Sequence, residues 1–278
     1  MKVALASTLK TGVPVLQVRA LSLRMGARRL IEQLDFEVQA GERWCVIGRN
    51  AAGKSSLLRA LAGLGPTPQG GAVLLQGDPR ALVDGPRAAQ LRAYLPQAAS
   101  DRFDLTVREL LALHRRDAVP SRHATALKRQ PGGPGAARAT VRGHGGDALQ
   151  ALAASLDIAA LLDRPVTQLS GGERQRVGLG AVAAQDTALW LLDEPVSFQD
   201  PAHQRSVALW LRAQDRRAVV LSAHDMAWVQ QCATHVIALL GDGTWRAGPA
   251  AEVLSAQTLY ETFGCPWRQV EGQWFTGQ

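Results

Sequence analysis

The sequence predicts an α/β fold interrupted by a helical subdomain. Three observations carry that prediction. Short apolar runs alternate with helix-periodic segments over most of the chain. A glycine-rich loop, GRNAAGKSS (48–56), joins one apolar run to an apolar-faced helix. Between Thr106 and Pro165 the strand signal disappears and apolar residues recur at helical spacing.

The bulk composition permits such a fold. The chain has 278 residues, 46% apolar and 20% charged, an ordinary globular make-up. No apolar run reaches the roughly eighteen residues of a membrane span. The start, MKVALASTLK, is too short in apolar residues for a secretory signal. Cys45, Cys232 and Cys265 lack metal-ligand spacing and read as reduced cytoplasmic thiols, Cys45 as a small buried side chain. The net charge of +7 invites a nucleic-acid reading, but its distribution argues against one. Arg115, Arg116, Arg122, Lys128, Arg129, Arg138 and Arg142 against Asp117 give +6 within residues 115–146, leaving 7 − 6 = +1 for the rest. That segment also holds six Gly and three Pro, so it reads as an exposed insertion, and no nucleic-acid partner is expected.

In chain order, VPVLQVRALSL (13–23) and LIEQLDFEVQAGE (30–42) predict an N-terminal antiparallel sheet closed by a turn at Gly41. RWCVIG is a strand, KSSLLRALAGL a helix ending at Gly63, and GAVLLQGD and AYLPQ are strands. TVRELLALHRR opens with a capping box, Thr106 with Glu109. DALQALAASL and DIAALLD continue the helical stretch. ALWLLDE and AVVLSAHD are apolar along their length, as expected of strands covered on both faces, with a helix between them. HVIALLGDGTWRAG is a hairpin turning at Gly241–Gly243. The chain is thus expected to be one domain. Residues 1–97 and 169–278 form its core, and 98–168 form a helical subdomain with a flexible basic insertion near 117–146.

GRNAAGKSS fits G-x-x-x-x-G-K-S between a strand and a helix, the context that makes it a phosphate-binding P-loop. Backbone N–H groups of the loop and helix N-terminus point at phosphates, Lys54 supplies a point charge, and Ser55 offers a hydroxyl to Mg²⁺. Asp193, ending the strand of LWLLDEP, is placed to hold Mg²⁺, and Glu194 to accept a proton from an attacking water or orient it. His224 and Gln97 end two further apolar strands, and the carboxyl edge of such strands is where ligands collect in open α/β sheets. His224 can reach a γ-phosphate or the lytic water, and Gln97 the metal or that water. LSGGERQRV (169–177) starts a helix with Ser170 and Glu173 as a second capping box. A cap explains Ser170 and Glu173 but not Gly171 and Gly172, whereas bare N–H groups at a helix N-terminus make an anion site.

GRNAAGKSS, YLPQ, LSGGERQRV, LWLLDEP and LSAHD, in this order over nearly the whole chain, resemble the ATP-binding subunit of an ABC transporter. The resemblance implies a P-loop NTPase core, with an N-terminal antiparallel β subdomain and an inserted α-helical subdomain. It implies an ATPase that pairs head to tail around two ATP. Gly48, Arg49, Asn50, Ala51, Ala52, Gly53, Lys54, Ser55 and Ser56 would hold nucleotide, with Ser55, Gln97 and Asp193 on Mg²⁺. Glu194 would be the base and His224 the switch histidine. Ser170, Gly171, Gly172 and Glu173 would close on the partner's ATP, with Asp200 in the loop linking the two sites. LRAYLPQ…FDLTVRELLALHRR and LYETFGCPWRQVEGQWF resemble the ATPases of cobalamin, haem and iron-siderophore importers, cobalamin most closely. This implies membrane permease partners, indirectly a substrate-binding protein, and a peripheral place on the cytoplasmic face of the inner membrane. A permease-free ABC ATPase and the ATPase of a two-component exporter are the alternatives. The chain departs from the family in Met25, flanked by Arg24 and Arg28, where an aromatic usually stacks on adenine. It departs again in Gln199 for leucine, and in Arg49 and Ala51 for proline and glycine.

Overall fold

The computed structural model describes residues 12–79, 85–97, 104–115 and 145–277. The expected basic insertion near 117–146 lies almost wholly outside them. Contacts divide the chain into two compact units, 1–100 with 187–278, and 101–186.

In the first unit, β1 (Leu16–Met25) pairs antiparallel with β2 (Arg28–Val38) and with β4 (Ala72–Leu75), as the N-terminal alternation predicts. Ala20, at φ +47°, sits in a register shift that lets Leu21 and Leu23 reach the same core as Leu16 and Val18. The second sheet has the order β5-β6-β7-β3-β8-β9. Its strands β3 (Arg43–Gly48), β5 (Arg92–Leu95), β6 (Leu189–Leu192), β7 (Ala218–Ser222) and β8 (His235–Leu239) run parallel, and β9 (Trp245–Pro249) closes it antiparallel through the predicted Gly241–Gly243 turn.

Every residue of β6 and β7 is buried because both faces of the sheet are covered. On one face Leu189, Leu191, Val220 and Ile237 share a core with Leu57, Leu58 and Leu61 of helix α1 (Lys54–Leu61) and with the antiparallel sheet. On the other, Trp190 stacks on Trp210 of α6 (Pro201–Arg212), ring centroids 5.4 Å apart. Cys45 is buried, as expected.

The second unit holds α3 (Val107–His114), α4 (Gly145–Ser155) and α5 (Gly171–Ala184). The Thr106–Glu109 capping box is formed. Gly180 lets α5 approach its neighbours: a Cβ there would sit 3.2 Å from Leu111 Cδ2 and from Ile158 Cδ1. Two expectations need correcting. The residues from Asp157 to Asp163 were expected to be helical, but only a 3₁₀ turn over Ala159–Leu161 forms, after Asp157 turns the chain at φ +53°. Residues 169–186 were expected in the core, but the contacts group them with the second unit, because α5 packs on α3 and α4.

Helix α2 (Gly85–Leu91), helix α7 (Met226–Cys232) and a C-terminal run of α8 (Ala250–Val253), α9 (Ala256–Phe263), β10 (Trp267–Val270) and β11 (Gln273–Thr276) complete the described elements. Among the described residues no helix is long and apolar enough to cross a membrane.

Because β3, β5, β6 and β7 run parallel, the segments that leave their carboxyl ends gather at one edge of the sheet. Those segments begin at Gly48, Leu95, Leu192 and Ser222. They carry the glycine-rich loop, Gln97, the Asp193–Glu194 pair and His224.

Candidate functional site

The loop from Gly48 into α1 is shaped by backbone that L side chains rarely adopt. Ala51 has φ +60° and Gly53, the N-cap of α1, φ +106°. A Cβ on Gly53 would lie 3.2 Å from Leu30 Cβ, so glycine serves both the conformation and the close approach. No side chain caps α1. Lys54 is 6% exposed and its Nζ donates to Gly48 O at 2.9 Å and to Arg49 O at 3.1 Å. Burial pulls its pKa below the ordinary lysine value, while the charges of Glu194 and Asp193 act in the opposite sense.

Asp193 is buried. Its backbone N–H donates to Leu95 O at 2.8 Å and its Oδ1 accepts from Ser222 Oγ at 2.6 Å. Ser222 Oγ in turn accepts from Glu194 N at 2.9 Å, so one hydroxyl ties both acids to β7. Glu194 is half-buried and left-handed, φ +49°, the kind of backbone outlier that clusters at working sites. Its Oε1 lies 2.5 Å from His224 Nε2, and its Oε2 accepts from Gln97 Nε2 at 3.0 Å and from Ser197 Oγ at 2.9 Å. Burial pushes this carboxyl up, but the hydrogen bonds from Ser197 and His224 and the charges of His224 and Lys54 outweigh it. The pKa falls below the usual glutamate value. Glu194 is therefore ionised at neutral pH and competent to accept a proton.

A cleft of about 620 Å³ joins these groups: Lys54, Ser55 and Ser56 on one side, Gln97, Glu194 and His224 on the other. Met25 and Leu30 supply its apolar rim, and Met25 is 59% exposed. A cavity of similar size, about 600 Å³ at Arg24, Arg29 and Trp245, contains none of the predicted site residues.

Two further predicted groups have local partners. In the second unit Ser170 caps α5, accepting from Glu173 N at 3.3 Å, while Glu173 accepts from Ser170 N at 2.8 Å. Those bonds, the backbone one first, hold the Glu173 carboxyl below its ordinary range. Ser170 and Gly171 are exposed. Asp200 caps α6 through His203 N at 3.0 Å and meets His203 Nδ1 at 2.7 Å. Gln199 is buried, its Nε2 donating to Pro195 O at 3.2 Å. The sequence reading missed Ser197 and Ser222. Ser222 stood inside the LSAHD run, and Ser197 three residues past Glu194 in a turn, each within hydrogen-bonding reach of an acid.

A P-loop between β3 and α1, two acids after the buried β6, and a histidine after β7 define a nucleoside-triphosphate-hydrolysing fold. Residues 31–197 match the model of the ABC transporter family. The chain is 37% identical over 242 residues to the hemin import ATP-binding protein of Nocardia farcinica, covering 86% of this chain and 77% of that one. It is 32% identical over 251 residues to the cobalamin import ATP-binding protein of Halobacterium salinarum, covering 89% and 58%. Among solved structures, an inward-facing ABC transporter described as of metal-chelate type superposes with a TM-score of 0.72 at 25% identity, covering 95% and 96%. The chain belongs to the ABC transporter family, and it is an ATPase.

Proposed function

We propose that this chain is the ATP-hydrolysing subunit of an importer for haem, cobalamin or a related metal chelate. Two copies would pair head to tail and drive a separate permease from the cytoplasmic face of the membrane, with a substrate-binding protein delivering cargo. One observation carries the hydrolytic part. Lys54 and the Gln97–Glu194–His224 group line one cleft. The import direction and the cargo class rest on what the relatives are named for.

In this reading the N–H groups of 48–56 and the Lys54 ammonium hold the β- and γ-phosphates. The Glu194 carboxylate accepts the proton of the attacking water, and His224, at Glu194 Oε1, orients that carboxylate and meets the γ-phosphate. Ser170, Gly171 and Gly172 of the partner copy close over the same phosphates, and Asp200 links the two sites. The donor set of Ser55, Gln97 and Asp193 is all hard oxygen. Among the described residues no group of three or more His, Cys, Asp or Glu forms a cage, so an ion here would share its ligands with phosphate, which fits Mg²⁺. Mg²⁺ bound there supplies charge neutralisation on the phosphate oxygens.

Purification of the chain from native membranes tests the proposal. A permease of many helices should come with it, and a binding protein should stimulate its ATPase activity. Recovery with ribosomes or DNA, or with an exporter's membrane half, would overturn it.

A further inference from the structure

We infer that the cavity of about 600 Å³ at Arg24, Arg29 and Trp245 binds a mononucleotide, separately from the cleft at Lys54. The two cavities share no lining residue. The pleat of β1 explains the separation. Successive side chains point to opposite faces, so Ser22 and Arg24 line this cavity while Met25, the next residue, rims the cleft. The volume lies within the range of about 300–1,000 Å³ that small-molecule sites occupy.

The positive charge of the cavity is not balanced from within. Arg24 and Arg29 stand directly opposite each other in the β1–β2 ladder, a like-charge pair that repels. Glu32 answers one of them, its Oε1 lying 2.9 Å from Arg29 Nη1. Arg246 on β9 is held by Glu261 at 2.7 Å. Arg24 is exposed and has no acid partner among the described residues. A planar guanidinium left free beside a second one matches a phosphate, which accepts two parallel hydrogen bonds from such a fork.

The other wall is a ring held in place. Trp245 is half-buried and its Nε1 donates to Glu32 O at 2.9 Å, so its polar edge is engaged and it offers the cavity ring surface. Glu32 N donates to Gly243 O at 2.9 Å, which fixes the β8–β9 turn against β2. Aromatic side chains of this kind are stacking platforms for nucleobases. Ser22 Oγ accepts from Gln33 N at 3.0 Å and keeps its own proton to donate, and Gln69 lines the cavity beside it. Those polar groups suit ribose hydroxyls and base edges.

Isothermal titration of the full chain tests this, with Lys54→Ala disabling the phosphate loop and with AMP, ribose 5-phosphate and adenosine as probes. AMP should bind. Ribose 5-phosphate, which lacks the ring, and adenosine, which lacks the phosphate, should each bind about tenfold or more weakly. Arg24→Ala changes an exposed side chain without a partner and should weaken AMP about tenfold. Trp245→Leu should bring AMP down to the affinity of ribose 5-phosphate, whose own binding stays unchanged and so reports an intact fold. AMP binding that survives Arg24→Ala overturns the inference, as does equal affinity for AMP and ribose 5-phosphate. Absence of AMP binding at millimolar concentration overturns it as well.

Discussion

Glu194 Oε1 and His224 Nε2 are 2.5 Å apart although thirty positions separate them in the chain. The sheet register explains the meeting. Strands β6 and β7 are parallel neighbours, with Leu192 level with Leu221. Each residue stands just past its strand's end, so the pairing of two buried strands delivers an acid and an imidazole to the same point.

Glu194→Gln keeps the shape of this arrangement and removes the carboxylate's charge. Hydrolysis should fall by about 10²-fold or more, the usual scale for an acid–base group, while ATP binding persists. The bound pair should then accumulate, eluting as a dimer in size exclusion only when ATP is present. A variant that hydrolyses near the wild-type rate removes Glu194 from the mechanism.

Much of this site was legible because its signals are local. GRNAAGKSS sits between strand and helix in the sequence and again in the structure. Both capping boxes, Thr106–Glu109 and Ser170–Glu173, join residues three apart, so no tertiary knowledge is needed to read them. The bond from Gln97 to Glu194 spans ninety-seven positions, and only the neighbouring of β5 and β6 makes it. Helix α2 was missed because GPRAAQL has one buried residue, Ala88, and so no apolar stripe. The β10–β11 hairpin was missed because no residue in it is buried, so its burial does not alternate in period two. The grouping of α5 with the helical unit depends on Gly180 meeting Leu111 and Ile158, a packing fact invisible at 169, where the sequence boundary was drawn.

Gly53→Ala tests the backbone demand of the phosphate loop. At φ +106° an alanine is strained, and its Cβ meets Leu30 Cβ at 3.2 Å. The strain should cost about 1–3 kcal/mol in thermal unfolding, and ATP affinity should fall with it. A further Leu30→Gly removes that Cβ but not the φ strain, so it should not restore binding. Full recovery in the double variant would mean that contact alone makes the glycine necessary.

The cap that Ser170 forms on α5 and its proposed contact in trans separate by experiment. As a cap, its replacement by alanine should cost about 1 kcal/mol of stability with or without nucleotide. As a contact to the partner's ATP, it should matter in trans. Mixing Ser170→Arg chains with Lys54→Ala chains gives a heterodimer with one intact composite site. The Ser170→Arg chain contributes the P-loop and the Lys54→Ala chain the intact Ser170. ATP-dependent pairing absent from either mutant alone should return in the mixture, measured by light scattering. If both mutants are folded and no pairing returns, the two glycines after Ser170 serve only the helix start.

The basic segment 120–146 offers the last test. All of it but Gly145 and Gly146, which open α4, lies outside the described residues, and its sequence motivates the prediction. Arg122, Lys128, Arg129, Arg138 and Arg142 are interrupted by glycine and proline, so no helix can present them together. Loop-closure entropy grows only logarithmically with length, so shortening such a segment changes stability little. Replacement of 120–146 by a short Gly-Ser linker should leave the melting temperature and basal ATPase activity intact. Binding to anionic vesicles should be the property that falls, since each basic residue near such a surface is worth about 1 kcal/mol. A deletion that unfolds the chain or abolishes hydrolysis would mean that 120–146 packs against α3 or α4, and that the helical unit extends through it.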